Sequence, residues 1–387
     1  MIQVYNNQEK IASKIVEILK FSNPTIRKTQ LNIIPYIILG MLSSESSVAG
    51  DIAKVLKDDF SLVQYDSITR RIRRLYNNKH FDPNIFYENI IKYVLSTFKL
   101  KHSDNTIHII FDHMYSHDNY TVLLFSMKIG NQGIPLLFKC FKSSKEPEAF
   151  TDETICDCIQ QVSSYFNNTN YKLIFLADRW FNSEAILSTI NNLHHTFCIR
   201  LKGNIKVKVF DNKEGHYILK NTGDLTGKKT RGKYYQNVYL YENSTFKTNI
   251  SISKSNNIDE PWIVVTNGEP NRAIRRYSYR FGSIECIFKN QKSNGFYIEK
   301  ISNSSLKSFT SMYSLVCFCV LFLTIIGCDY TKNKKCYKKV KIETHKTYKG
   351  IKRRIVSLFN VGLILFKRAF NSHVYIRIPF TMILYDI

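Results

Sequence analysis

Two short runs constrain this chain more than any other feature: TIHIIFD (106–112) and YKLIFLAD (171–178). Both are dominated by consecutive apolar residues, and both close on an aspartate. A strand wetted on one face alternates with period two, whereas a continuous apolar run is a strand covered on both faces by flanking helices. The segments around them complete a series. NYTVLLFSMKIGNQGIPLLFKCFK (119–142) reads as two strands about a turn at Gly130 to Gly133. Ile155, Cys158, Ile159, Val162 and Phe166 fall on one face of a helix, SEAILSTINNL (183–193) is helical, and TFCIRLKG (196–203) returns as a strand. The order β-β-β-α-β-α-β predicts an α/β fold, a mixed sheet flanked by helices.

The flanks differ in pattern. Residues 1–100 are expected to form a helical region. Ile11, Ile15, Ile18 and Leu19 have helical spacing, as do Ile68, Ile72 and Leu75 after a cap at Asp66 or Ser67. Arg70, Arg71, Arg73 and Arg74 lie between the latter, so Arg71 and Arg74 are candidates for DNA phosphate contacts. SVAGDIAKVLKDDF (47–60) would be the first helix of a helix-turn-helix, although the connection DDFSLVQY is long for that motif. The core is expected in two parts, 101–201 and 261–330, separated by a β-rich insertion at 202–260. A basic C-terminal region, 331–387, follows; residues 331–370 hold thirteen Lys or Arg and one acid, Glu343.

Charge narrows the partner. Lys and Arg number 55 against 31 Asp and Glu, a formal net charge of +24, and clustered positive charge of that size favours a polyanion such as nucleic acid. The nine cysteines include no C-x-x-C pair and assemble no zinc signature, so reduced thiols in a cytoplasm are expected. The N-terminus lacks the pattern of a signal peptide. Residues 309–327 are uncharged over 19 positions and then run into lysines, which suits a membrane span or a helix buried inside a domain; the second reading is preferred, with no membrane as partner.

An aspartate at the carboxyl edge of an open α/β sheet sits where ligands bind, and burial makes it costly unless it is paired or bound to a cation. Asp112 and Asp178 are both candidates for that edge. A third acid, Glu285, lies in YSYRFGSIECIFKNQKSNGFYIEK (277–300), where helical spacing puts Glu285, Phe288, Lys289 and Lys292 on one face. Three carboxylates suit hard divalent cations such as Mg²⁺. Two such ions, about 3.5–4 Å apart, activate a water or a 3′-hydroxyl and stabilise the leaving oxygen of an in-line displacement.

The stretches IIFDHMY, LADRWF and YSYRFGSIECIFKNQKSNGFYIEK, with PWIVVTN (261–267) ahead of the last, resemble the DDE transposases of bacterial insertion sequences. They look most like the insertion-sequence-four type, whose signature is Y-x2-R-x3-E-x6-K. The resemblance covers about residues 105 to 300. It implies an RNase H-like core whose acids Asp112, Asp178 and Glu285 are the catalytic metal ligands for two Mg²⁺ ions, Mn²⁺ being an alternative. It implies that Tyr277, Arg280 and Lys292 contact DNA near the cleaved end, with Lys289 beside them. The activity implied is hydrolysis and strand transfer at terminal inverted repeats, on double-stranded DNA, by a homodimer in a bacterial cytoplasm near the nucleoid. One departure stands: four residues separate Arg280 from Glu285 where the family pattern has three.

Three other readings stay open. One is a catalytically inactive transposase-derived DNA-binding protein, another is an RNase H-like nuclease without transfer activity, and the third is a membrane-anchored protein. Asp118 is a weaker rival for the first acid. His113, His117, His194 and His195 could assist catalysis, Arg179 and Trp180 could touch DNA, and Tyr234, Tyr235 and Tyr239 could stack on a base or on one another across strands.

Overall fold

The computed structural model describes residues 8–60, 64–97, 99–101, 105–116, 120–142, 151–226, 232–253, 260–293, 295–300, 305–333, 342, 344–346, 352–354, 356–372, 376–378 and 383–385. The central series has the expected order: β1 (Thr106–Ser116), β2 (Tyr120–Ile129), β3 (Gln132–Lys142), α6 (Asp152–Ser164), β4 (Lys172–Ala177), α7 (Glu184–Asn192) and β5 (Thr196–Arg200). Five helices precede it: α1 (Gln8–Ser22), α2 (Ile34–Ser44), α3 (Ala49–Phe60), α4 (Tyr65–Tyr76) and α5 (Pro83–Ser96). After β5 come β6 (Lys206–Asp211), β7 (His216–Asn221), β8 (Lys233–Leu240), β9 (Lys247–Ser253) and β10 (Trp262–Thr266). The chain then forms α8 (Pro270–Tyr277), α9 (Ile284–Lys292), α10 (Leu306–Lys332) and α11 (Leu358–Ser372).

All ten of these strands join one mixed sheet in the order β3-β2-β1-β4-β5-β10-β9-β8-β6-β7. β1, β4 and β5 run parallel to their neighbours in that trio, and every other pairing is antiparallel. The four strands of residues 206–253 therefore extend the main sheet through β9 and β10. Burial explains the composition of the centre: Val122 to Phe125 and Leu173 to Ala177 are all buried, as continuous apolar runs require.

Three sequence expectations need correction. The helix rich in arginine starts at Tyr65 with Gln64 as N-cap, two or three residues earlier than a cap at Asp66 or Ser67 would give. The connection DDFSLVQY includes residues 61–63, which lie outside the described residues. The C-terminal region also contains α11, whose Leu358, Phe359, Val361, Leu365, Phe366 and Ala369 are buried, so part of that basic stretch belongs to the core. Tyr277 ends a helix of its own, α8, which charge-dense PNRAIRRY had concealed.

The uncharged stretch 309–327 lies within α10, and Ser308 through Tyr330 are all buried. Among the described residues it is the one single helix long and apolar enough to cross a membrane. It packs against β3, α2, α4, α5 and α11, so it is shared between the N-terminal helices and the sheet. Its crossing with α11 is close enough to need two glycines. A Cβ on Gly327 would collide with the carbonyl oxygen of Leu358, and one on Gly362 with that of Leu323.

Candidate carboxylate site

The sheet register builds the site. β1 and β4 pair in parallel through Ile110 and Leu176, so two residues further on Asp112 comes level with Asp178. Asp178 directly follows β4 and caps a short 3₁₀ turn, Arg179–Phe181, accepting the Arg179 backbone N–H at 2.8 Å. Asp112 is not at a strand end as expected. β1 continues to Ser116 because β2 keeps pairing with it, Asp112 opposite Leu124, after β4 has stopped. Behind the acids, the Phe111 ring packs 4.9 Å from both Phe125 and Phe181, the last residue of the turn.

Glu285 comes from α9, which lies over β3 and β1. Gly133 sets how closely that helix sits. A Cβ there would stand 2.6 Å from Ile287 Cδ1 and 2.9 Å from Ser283 Oγ, so a larger residue would force those side chains of the helix to shift. Ile284, Ile287, Asn290 and Gln291 form the buried face, while Glu285 and Lys289 are exposed and Phe288 and Lys292 half-buried. The helix starts at Ile284. The turn 281–283 takes up the additional residue before Glu285, and Gly282 has open space around it.

Arg280 is the centre of the arrangement. It is 4% exposed, in a 3₁₀ turn, and its Nη2 lies 2.5 Å from Asp112 Oδ2. Its Nη1 stands 4.0 Å from Asp178 Oδ2 and donates to the Tyr277 hydroxyl at 3.4 Å. That hydroxyl in turn donates to Asp178 Oδ1 at 3.3 Å. Tyr277 is fully buried, held edge-on to Trp262 at 5.4 Å, and burial pushes its phenol up to about 12.

Two of the acids, Asp112 and Glu285, have raised carboxyls, and burial is the first cause for each. Burial raises the Asp112 carboxyl above its ordinary range; Arg280 and the His113 backbone N–H oppose this, and Asp178 reinforces it. Glu285 is likewise raised, first by partial burial and then by Asp112 and Asp178, with Arg280 opposing. His113 is lowered by burial, so its imidazole is held neutral more strongly than a free one. Its backbone N–H donates to Asp112 Oδ1 at 2.9 Å.

Donor chemistry and geometry differ on a metal. Clustered carboxylates with raised proton affinity call for a cation, and oxygen donors suit Mg²⁺. Yet among the described residues no group of three or more His, Cys, Asp or Glu side chains is arranged to hold a metal ion. The cation between Asp112 and Asp178 is the guanidinium of Arg280.

The other sequence candidates fall elsewhere. Lys292 ends α9 and pairs with Glu299 at 2.8 Å. Arg71 and Arg74 are exposed on α4 with Arg70 and Arg73, while Thr69, Ile72, Leu75 and Tyr76 face inward. His194 and His195 precede β5, at the end of the parallel strands opposite Asp178, and His195 Nε2 is 2.7 Å from Ser163 Oγ. His117 and Asp118 lie outside the described residues. Tyr239 packs edge-on to Tyr217 at 4.9 Å, Tyr235 donates to Leu225 O at 3.3 Å, and Tyr234 is exposed. Two acids not singled out in the sequence matter here: Glu299, and Glu260, whose Oε2 accepts from both Arg179 and Arg200 at 3.0 Å. Neither has a strand-end or helix-face pattern that would mark it.

No protein-family model matches this chain, and no curated protein matches it. Among solved structures, it is similar to the Argonaute of Marinitoga piezophila, crystallised with a 5′-hydroxyl guide RNA and target DNA, at 15% identity and a TM-score of 0.20. The match covers 49% of this chain and 27% of that one.

Proposed function

We propose that this chain is a DNA transposase of the DDE type, with an RNase H-like core and Asp112, Asp178 and Glu285 as its catalytic acids. The observation that carries the reading is the convergence of Asp112 and Asp178, from neighbouring parallel strands, on the Arg280 and Tyr277 that precede the Glu285 helix. The strand order β3-β2-β1-β4-β5, with α6 and α7 as the intervening crossovers, supports the RNase H-like assignment. The net charge of +24 supports a DNA substrate.

In this reading Asp112, Asp178 and Glu285 would be the residues to hold Mg²⁺ or Mn²⁺, with Arg280 displaced from Asp112. Such an ion would supply Lewis-acid stabilisation of phosphodiester oxygens and a more acidic water. Arg280, released, turns its fork of donors to a phosphate next to the scissile bond, where bidentate contacts fix orientation. Tyr277 positions Asp178 through its hydroxyl. Lys289, exposed on the same helix face as Glu285, and Lys292 neutralise the adjoining backbone. The α3–α4 pair binds duplex outside the site through Arg71 and Arg74, and two copies pair the two element ends.

The test is cleavage of a duplex carrying the inverted repeats that flank this reading frame. Asp178→Asn and Glu285→Gln should each abolish Mg²⁺-dependent nicking and leave duplex binding within about twofold, since neither removes a positive charge. Normal cleavage by either variant would sink the assignment. The Arg280–Asp112 contact itself favours a second reading, a catalytically inactive DNA-binding descendant. Mn²⁺ binding followed by electron paramagnetic resonance separates the two: the transposase takes up the ion with DNA bound, and the inactive descendant does not.

A further inference from the structure

The carboxyl ends of β4 and β5 carry a second set of groups beside the acids. Trp180, two residues after Asp178, is 61% exposed, which is unusual for a tryptophan inside a folded turn. Lys202, just beyond β5, places its ammonium over the indole ring at 5.5 Å from the centroid. His113 meets the same ring edge-on at 5.8 Å and braces it from the β1 side. Arg179 and Arg200 flank this pair, joined by Glu260, which is itself 62% exposed. The lip therefore has three cations against one solvated carboxylate around an open aromatic face.

Each part points to the same ligand. An exposed ring packed under a cation gains little by remaining in water, and its flat face matches the π-face of any base. Bases inside a duplex are already stacked on each other, so the ring can receive only an unpaired one. Arg179, Arg200 and Lys202 supply the charges that follow a backbone, and Glu260 is exposed enough to yield them, since solvated ion pairs are weak. We infer that the lip formed by Arg179, Trp180, Arg200 and Lys202 binds an unpaired stretch of nucleic acid, with Trp180 stacking on a base next to the carboxylate site. The inference rests on the transposase reading for its purpose, a frayed strand at the cleaved end, but its chemistry is independent of catalysis.

The chain has two tryptophans, and Trp262 packs against Phe281 and Tyr277. Trp262→Phe therefore leaves Trp180 as the sole indole reporter. In EDTA, oligothymidylate should quench its emission, and a blunt duplex of equal length should need at least tenfold higher concentration. With Trp262 intact, Trp180→Ala should weaken oligothymidylate binding about tenfold, within the range for one lost stack. Trp180→Phe should restore most of it, and Lys202→Ala should reduce the salt slope by about 0.7. Absent quenching, equal response to duplex, or unaltered binding by Trp180→Ala would each overturn the lip. The two readings fail separately. Cleavage that requires Asp178 with no stacking at Trp180 removes the lip alone. Stacking at Trp180 in a chain that never nicks element ends removes the transposase reading alone.

Discussion

Arg280 and the arginines of α4 carry the same charge in opposite settings. Arg280 is buried and locked to Asp112 and Tyr277, whereas Arg70, Arg71, Arg73 and Arg74 stand in solvent on one helix. A buried cation is part of the fold, because taking it away strands a desolvated carboxylate. An exposed one contributes almost nothing to folding and is available to a polyanion. The difference separates cations that hold a site together from cations that present a surface.

Arg280→Ala should break that contrast most visibly. Leaving Asp112 unpaired should cost about 3 kcal/mol of stability in metal-free buffer, measured by denaturant unfolding. Its pH dependence carries a sign. Asp112 is already raised in the folded chain, and Arg280 is the cation that opposes the rise. Without Arg280 the folded-state value climbs further, so the folded chain binds a proton that the unfolded chain has released. Stability from a raised acid is present below its unfolded value and lost as pH rises through the folded one. The deficit of Arg280→Ala should therefore shrink as pH falls from neutrality through the acidic range. A deficit that grows on acidification would contradict the placement of Asp112.

The pair Arg71→Ala and Arg74→Ala should behave in the reverse way. Stability should stay within about 0.5 kcal/mol of the parent. Duplex affinity should fall, and the slope of log K against log salt should flatten by about 2, near 0.9 for each lost phosphate contact. An unfolding shift as large as that of Arg280→Ala would end the distinction between the two regions. Lys292→Ala should fall with the α4 arginines in having only a small effect on folding. Its pair with Glu299 is partly exposed, so about 0.5 kcal/mol or less is expected. Any larger loss would move Lys292 into the class of Arg280.

The sequence made the frame legible where pattern is local. Apolar runs gave the order β1 to β5, and the acid after Ala177 lies where the run stops. Asp112 was misjudged as a strand end because an aspartate interrupts apolarity whether or not pairing continues, and β2 lies there to continue it. Helix α8 was hidden since PNRAIRRY buries only Pro270, Ala273 and Tyr277, too few apolar positions to set a period. The contact between Arg280 and Asp112 joins residues 168 apart, and no spacing rule reaches across that distance. For the same reason Glu260, 81 and 60 residues from its partners Arg179 and Arg200, reads as an ordinary surface acid.

The sharing of α10 between the helical region and the sheet has a consequence for synthesis. Its 27 residues cannot be covered fully until α11, far toward the end of the chain, has left the ribosome. Until then its uncharged stretch lacks the cover that α11 supplies, and the interior shared by the early helices and strands stays incomplete on that side. Assembly is thus tied to a segment made after both regions it joins, and the uncovered side of α10 is the place where a nascent chain would recruit chaperones or stick to its neighbours.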